Sequence, residues 1–354
     1  MKIKKTIALT GGGTAGHVMP NLALAPDLAK AGFEVIYIGS DGVERSLVEK
    51  AGIKFFRVSS GKLRRYFSWE NLKDIFKVLL GFFQAIALIS RLRPDAVFSK
   101  GGFVAVPVCL AAKVLGIPVV SHESDYSPGL ANRIIAKFAR KLLYSFPETK
   151  NFLPESKSER VDTPIRAELL KGDRNRGLSL CGFSSSLPVL LFMGGSQGAQ
   201  RLNDALFELL PEIVDQFQIV HLSGKGKSIP FTHRHYKSFE FLGNELPDVF
   251  AATDFVVCRA GANSIFEMLA LKIPMLLIPL EIGSRGDQIL NAKSFESRGW
   301  ALTLSELKLS KESLRDSIAL LVSKADEIKQ AQKSVGVASG NSKIVEIIAN
   351  SIGV

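Results

Sequence analysis

The sequence predicts an α/β protein of two Rossmann-like, parallel-sheet domains, and three observations lead to that prediction. The chain has 354 residues, more than one ordinary domain and enough for two. A plan of strand, glycine loop, helix and strand occurs twice, with 28 residues from Gly11 to Gly39 and 30 from Gly194 to Gly224. In each half a second strand of buried character then enters another glycine turn, so the repeat extends beyond one motif. Units of this spacing build doubly wound sheets.

Taken in order, TIALT is the first strand, GGGTAGH its loop, NLALAPDLAKA a helix and EVIYIG the next strand. PDAVFSKGGF, from Pro94, is a buried strand entering a glycine turn, and after a helical segment IPVVSHES is another strand. The later half repeats this as PVLLFM, GGSQGAQ, LNDALFELLPEI and QIVHLSGKG, then TDFVVCRAGA from Thr253 and IPMLLIPL. Pro118 and Pro274 stand at strand entrances, where a missing N–H does no harm. The boundary falls in VDTPIR, giving domains 1–162 and 163–336. Helical sequence from about Lys311 exceeds what the second domain needs, so a last helix, about 337–354, is expected to pack back on the first.

A hydrophobic fraction of 46% with 22% charged residues excludes a disordered chain. Cys109, Cys181 and Cys258 lie far apart in apolar runs, which reads as buried thiols rather than a disulfide frame or a zinc site. The net charge of +11 asks for an anionic partner. Nucleic acid is not expected, because the basic residues are spread out and not interleaved with stacking aromatics. The N-terminus has the lysines and apolar stretch of a secretory signal, but glycines and His17 interrupt it, so it reads as the first strand and loop. Val78 to Ile89 is the longest apolar stretch at 12 residues, against about 20 for a bilayer span.

Chemistry concentrates in the glycine loops. In Gly11 to His17, close backbone approach and a following helix N-terminus favour an anion. The Walker Lys-Ser/Thr is missing, and no acidic residue stands at ribose distance for a nicotinamide site. His17, at the carboxyl end of the sheet, suits a general base, with a turn-capping histidine as the plainer alternative. The second loop, Gly194 to Gly198, adds the hydroxyl of Ser196, and Arg166 near the boundary is placed to clamp a diphosphate unless it is merely solvated. Arg259 to Glu267 reads as a glycine turn, an Asn or Ser cap and a helix with Glu267 on its first turn, fit to accept ribose hydroxyls. A capping box between Ser264 and Glu267 explains the same residues. In the segment Ser284 to Asn291, Asp287 and Gln288 suit sugar hydroxyls or serve as an N-cap and its neighbour.

These residues together resemble the bacterial MurG family, the N-acetylglucosaminyltransferases that complete lipid II. The resemblance rests on GGTAGH (Gly12 to His17), GGFVAVP (Gly101 to Pro107), HES with PGLAN (His122 to Asn132), TPIR (Thr163 to Arg166), GGSQGA (Gly194 to Ala199), CRAGA with Glu267, and DQILNA (Asp287 to Ala292), in the family's order along nearly the whole chain. It implies a GT-B architecture and an inverting, metal-independent hexosyl transfer from UDP-N-acetylglucosamine to lipid I, a polyprenyl-diphosphate-linked acceptor. No cofactor and no metal are then expected, and no two aspartates stand two apart as in the Asp-x-Asp of metal-dependent transferases. The resemblance places Leu242 at the uracil with Phe241 beside it, Ala262, Asn263 and Ser264 along the nucleotide, and Glu267 on the ribose. It places Ser196 and Arg166 at the diphosphate and Gln288 at the sugar, with Asp287 and Asn291 also among the substrate-binding residues. The acceptor falls to Thr14, Ala15, Gly16, His122, Glu123 and Asp125, with His17 as the base. Ala15, Asp125 and Asp287 stand where the family more often has Gly, Asn and Gln.

A lipid-linked acceptor implies a peripheral protein on the cytoplasmic side of the cell membrane, with other cell-wall synthesis proteins as further partners. Leu63 to Arg93 mixes Arg64, Arg65, Lys73 and Lys77 with Trp69, Phe76, Leu79, Leu80, Phe82 and Phe83, the composition of an interfacial helix on an anionic surface. An ordinary helix covering its own sheet explains much of the apolar content. The rival functions are another GT-B enzyme, such as a UDP-N-acetylglucosamine 2-epimerase, and a catalytically silent scaffold.

Overall fold

The computed structural model describes residues 4–61, 69–184, 186–195, 199–228, 230–281, 286–335 and 339–354, with backbone alone for 69–75. It divides into two units, Met1–Arg166 with Ser339–Val354, and Ala167–Ala338. In the first, strands and helices alternate as β1 (Thr6–Thr10), α1 (Ala15–Lys30), β2 (Glu34–Gly39), α2 (Val43–Lys50), β3 (Lys54–Arg57), α3 (Trp69–Leu92), β4 (Ala96–Ser99), α4 (Ala105–Val114), β5 (Val119–Glu123), α5 (Leu130–Ile135), β6 (Lys141–Tyr144) and β7 (Ser158–Arg160). The second continues with α6 (Arg174–Cys181), β8 (Val189–Met193), α7 (Gln200–Ile213), β9 (Gln218–Leu222), β10 (Tyr236–Phe239), α8 (Leu246–Ala252), β11 (Phe255–Cys258), α9 (Ala262–Leu271), β12 (Met275–Leu277), α10 (Asp287–Glu296), β13 (Ala301–Thr303), α11 (Lys311–Ser323) and α12 (Ala325–Ser334). The final helix, α13 (Asn341–Ser351), belongs to the first unit.

Both sheets are parallel. Their strand orders are β3-β2-β1-β4-β5-β6-β7 and β10-β9-β8-β11-β12-β13. The order reverses between β1 and β4 in one sheet and between β8 and β11 in the other. Strands on either side of such a point send their chains to opposite faces, which opens a crevice at the carboxyl ends where ligands bind. All four glycine turns read from the sequence leave these four strands.

Helices cover both faces of the first sheet, which is why the strands at its switch point, β1 and β4, are buried runs instead of alternating. Ile7, Leu9, Tyr37 and Phe98 point into one core with Val18, Leu24 and Leu28 of α1, Val48 of α2 and Ile344, Ile347 and Ile348 of α13. Their neighbours Ala8, Ile36, Ile38 and Val97 point the other way, onto α3, α4 and α5. In the second unit α7, α11 and α12 cover a core built on Leu190, Phe192, Ile219, Val257 and Leu276.

The return of the chain to the first unit depends on close backbone approach. A Cβ on Gly340 would lie 1.7 Å from the carbonyl oxygen of Asp162, so no other residue fits there without displacing the chain. Next to it, buried Asn341 receives the N–H of Ile165 at 3.2 Å. Its amide donates to the carbonyls of Ala23 (3.0 Å) and Ile165 (3.2 Å) and to Asp27 (2.7 Å). One side chain thus ties α13, α1 and the segment leading to Arg166.

Candidate active site

At the switch point of the first unit the loop after β1 is braced from below. The Tyr37 hydroxyl donates to the Gly11 carbonyl at 2.7 Å, and the Asn21 amide donates to that of Thr10 at 3.0 Å. Glu44, fully buried, accepts from the N–H of Gly13 (3.3 Å), the N–H of Ser40 (3.1 Å) and the Ser40 hydroxyl. The Gly13 N–H is thus given to the Glu44 side chain and is not open to a ligand.

Helix α1 begins earlier than its apolar pattern indicates, at Ala15, with extended Thr14 as N-cap. Pro20 and Pro26 lie inside it. Thr14 and Gly16 are exposed and Ala15 and His17 half-buried, so the helix opening is open to solvent. His17 is therefore on the first turn, its N–H donating to the Thr14 carbonyl at 3.1 Å. Its Nδ1 stands 3.0 Å from the carbonyl oxygen of Lys100. A carbonyl only accepts, so Nδ1 carries a proton, and in the neutral form of the ring the lone pair is then on Nε2. The turn that supplies this carbonyl requires glycine: Gly102 has φ +80°, and a Cβ there would lie 2.3 Å from the Gly12 oxygen and 3.1 Å from Cδ2 of His17.

The third loop of this unit, after β5, is organised from within. Glu123, buried, accepts from the N–H groups of Asp125 and Gly129, both at 3.0 Å, and from the Asn132 amide at 2.9 Å. Its carboxylate therefore shapes the loop, in which Asp125 is half-buried. The expectation for His122 is corrected. The ring has no exposure, with Nδ1 against Lys100 Nζ and Nε2 3.3 Å from the Ser145 hydroxyl, so it offers no face to a ligand. Burial and the neighbouring Lys100 hold it neutral, well below the usual histidine range.

Lys100 escaped the sequence reading. Burial pushes its ammonium down to about 7, against the pull of Glu123 and Asp125. A lysine ending the buried strand AVFS was the available signal, since that residue type is seldom buried without a partner. Arg166, half-buried, closes the first unit on the segment that Asn341 fixes.

In the second unit, α9 begins at Ala262 with Gly261 as N-cap and no side-chain cap. That corrects two expectations: neither Asn263 nor Ser264 caps the helix, and Glu267 sits on the second turn, so there is no capping box with Ser264. Ala262 is buried, while Asn263, Ser264 and Glu267 are half-buried along the opening of the helix. Asn291 is fully buried and donates to the Ala260 carbonyl at 3.1 Å, holding the turn before α9. Asp287 is the first residue of α10, whose N-cap is Gly286, so Asp287 is not the cap. Gln288 accepts from the N–H of Leu280 at 3.0 Å, which fixes its side chain under the loop after β12. Leu242 is buried beside Phe241, which is 78% exposed. Ser196 lies outside the described residues, as do Ser284 and Arg285.

A buried ion pair, absent from the sequence reading, supports these turns. Arg259 meets Glu306 and donates to the carbonyls of Ile278 (3.1 Å) and Pro279 (3.4 Å). Glu306 also accepts the N–H of Glu281 at 3.2 Å. Although burial opposes its charge, these donors hold the Glu306 carboxyl below its ordinary range. Deeper in the sheet, His221 sits between Asn203 (3.0 Å) and the Tyr236 hydroxyl (2.9 Å), and burial pushes it down to about 4.

On α3 the exposed apolar residues are Phe76, Leu79, Leu80 and Phe83, spaced as one helical stripe. Phe82 is corrected: it is half-buried against the core under the helix. Trp69 and Lys73 are described in backbone only, and Arg64 and Arg65 lie outside the described residues. Among the described residues no helix is long and apolar enough to cross a membrane, and no group of three His, Cys, Asp or Glu could hold a metal ion.

Two parallel sheets, each with glycine turns at its switch point, are the architecture found in GT-B glycosyltransferases. The glycosyltransferase family 28 N-terminal domain matches residues 7–144 and its C-terminal domain residues 189–348. A protein named UDP-N-acetylglucosamine–N-acetylmuramyl-(pentapeptide) pyrophosphoryl-undecaprenol N-acetylglucosamine transferase, from Lachnoclostridium phytofermentans, is 49% identical over 97% of this chain and 98% of its own. The protein of the same name from Lachnospira eligens is 52% identical over 90% and 91%. Among solved structures, Acinetobacter baumannii MurG superposes with a TM-score of 0.74 at 25% identity, covering 98% of this chain and 99% of that one. The kitacinnamycin glycosyltransferase, at 16% identity and a TM-score of 0.78 over 99% of this chain and all of that one, shares the fold. The chain belongs to glycosyltransferase family 28 and, within it, to the MurG family.

Proposed function

We propose that this protein transfers N-acetylglucosamine from UDP-N-acetylglucosamine to the C4 hydroxyl of undecaprenyl-diphospho-N-acetylmuramoyl-pentapeptide, lipid I, giving lipid II and UDP. The observation that carries the mechanism is the Nδ1 contact of His17 with a main-chain carbonyl, which leaves Nε2 as the proton acceptor. Nε2 takes the C4 hydroxyl proton as that oxygen attacks C1 of the donor sugar. The bond from C1 to the β-phosphate oxygen breaks with its electron pair leaving on UDP, and a single displacement inverts C1. Half-buried Arg166, the Ser196 hydroxyl and the N-terminus of α9 are the groups assigned to the diphosphate, without a metal. Glu267 is assigned to the ribose, the main chain at Leu242 to the uracil, and Asp287 with Gln288 to the sugar. Thr14 to Gly16 and Asp125 are assigned to the acceptor. The exposed stripe of α3 supports peripheral docking on the cytoplasmic face of the membrane, where such an acceptor resides.

The test is UDP release from donor with and without a short-chain lipid I analogue. Acceptor-dependent release with a disaccharide product by mass supports the reading. Tight UDP binding with no release in the presence of acceptor overturns it, and release without acceptor points to an epimerase or hydrolase.

A further inference from the structure

The chain of buried contacts that ends on His17 starts from a lysine that has no part in the reaction as written above. Lys100 leaves β4 at the switch point with only 3% of its surface exposed. Its main-chain oxygen accepts from His17 Nδ1 at 3.0 Å, while its side chain turns the other way, into the unit. There Nζ lies 2.5 Å from His122 Nδ1 and 2.5 Å from the Ser124 hydroxyl. His122 Nε2 in turn faces Ser145, whose hydroxyl is 2.6 Å from that of Thr163. The charged groups that act on the ammonium are Glu123 and Asp125 of the same loop, together with the His122 ring.

We propose that Lys100 is a positioning residue for His17. Its Nζ joins the end of β4 to the loop after β5, and this fixes the carbonyl that sets the His17 tautomer. The proposal rests on His17 being the base of the transfer reaction. A buried cation or amine in this place is costly unless its hydrogen bonds are made, and burial lowers the Lys100 ammonium to about 7. A leucine or methionine would fill the same space with no such penalty, but would leave His122 Nδ1 without its donor. The lysine also offsets the carboxylates of Glu123 and Asp125.

The experiment compares wild type with Lys100→Met and Ser124→Ala in the full chain. It reads the His17 ring by nitrogen NMR, kcat and donor KM in acceptor-dependent UDP release, and the thermal melt. In wild type the His17 proton should reside on Nδ1. Lys100→Met should give mixed tautomers and lower kcat at least tenfold, with donor KM within threefold and a cooperative melt. Ser124→Ala, which removes one acceptor of Nζ and little volume, should shift tautomer and kcat in the same direction by a smaller factor. If Lys100→Met does not fold, Ser124→Ala decides. An unchanged tautomer, or kcat within threefold of wild type in every variant that folds, overturns the proposal. Failure of the underlying mechanism is distinguishable: His17→Ala would then keep its turnover while the tautomer still responded to Lys100→Met.

Discussion

The position of the His17 imidazole depends on two peptide groups. Its own N–H is tied to Thr14 and its Nδ1 to Lys100, so ring orientation depends on backbone position at two glycine turns. His17→Ala should lower turnover by well over tenfold, which is about 1.4 kcal/mol of barrier per factor of ten, while leaving UDP affinity nearly unchanged. Steady-state kinetics beside UDP calorimetry would check this, and turnover within tenfold of wild type removes His17 as the base. Gly102→Ala should move the same ring from the other side. Its methyl would meet Gly12 and His17, so kcat should fall with a stability loss of roughly 1–3 kcal/mol by melting. His221 gives the second unit a pH limit. Unfolded it titrates near 6.5 and folded near 4, so the unfolded chain binds more protons between those values. The contribution of His221 to stability is full above about 6.5 and is lost as pH falls toward 4. His221→Gln should flatten the fall in melting temperature across that window.

At the scale of elements, α3 divides its apolar residues between two tasks. Ala85, Ile89 and Phe82 pack on the core, whereas Phe76, Leu79, Leu80 and Phe83 are exposed along one stripe. The exposed faces of this stripe are suited to the acyl boundary of a membrane, each phenylalanine contributing about 1.5–3 kcal/mol when fully buried. Phe76→Ser with Phe83→Ser should weaken binding to anionic vesicles by at least tenfold, with UDP affinity and melting temperature unchanged. Sedimentation with liposomes measures it, and equal retention would assign the stripe elsewhere. Phe82→Ser belongs to a different class, because it should lower the melting temperature as well.

For the whole molecule, the return of α13 closes the core of the first unit with Ile344, Ile347 and Ile348. The close approach of Gly340 to Asp162 and the four hydrogen bonds of Asn341 fix its start. Gly340→Ala should therefore lower stability by about 1–3 kcal/mol, read as a drop in melting temperature. Deleting residues 339–354 should cost far more, exposing apolar surface on α1 and the first sheet and lowering soluble yield. A truncated chain melting like the full one would show that α13 adds little to that core.

The strands beside the switch points were legible because parallel strands buried on both faces read as short apolar runs ended by glycine: TIALT, DAVFS, PVLLFM and DFVVC. The edge strands KFFR, YKSF and SER carry charges and hydroxyls, and only their pairing makes them strands. Glycine loops, His17 and the order of motifs likewise determined the family, since a loop after a strand needs only local sequence to be recognised. Which residues point at ligand was decided by tertiary structure. His122 and Asn291 look like polar ligands in sequence, yet both are fully buried and brace neighbouring turns. Lys100, Glu44, Arg259 and Glu306 look like surface charges, and each is buried against partners distant in the chain. The physical reason is that burial and hydrogen-bond partnership arise from contacts between segments many residues apart, whereas strand, turn and helix are written in the nearest few.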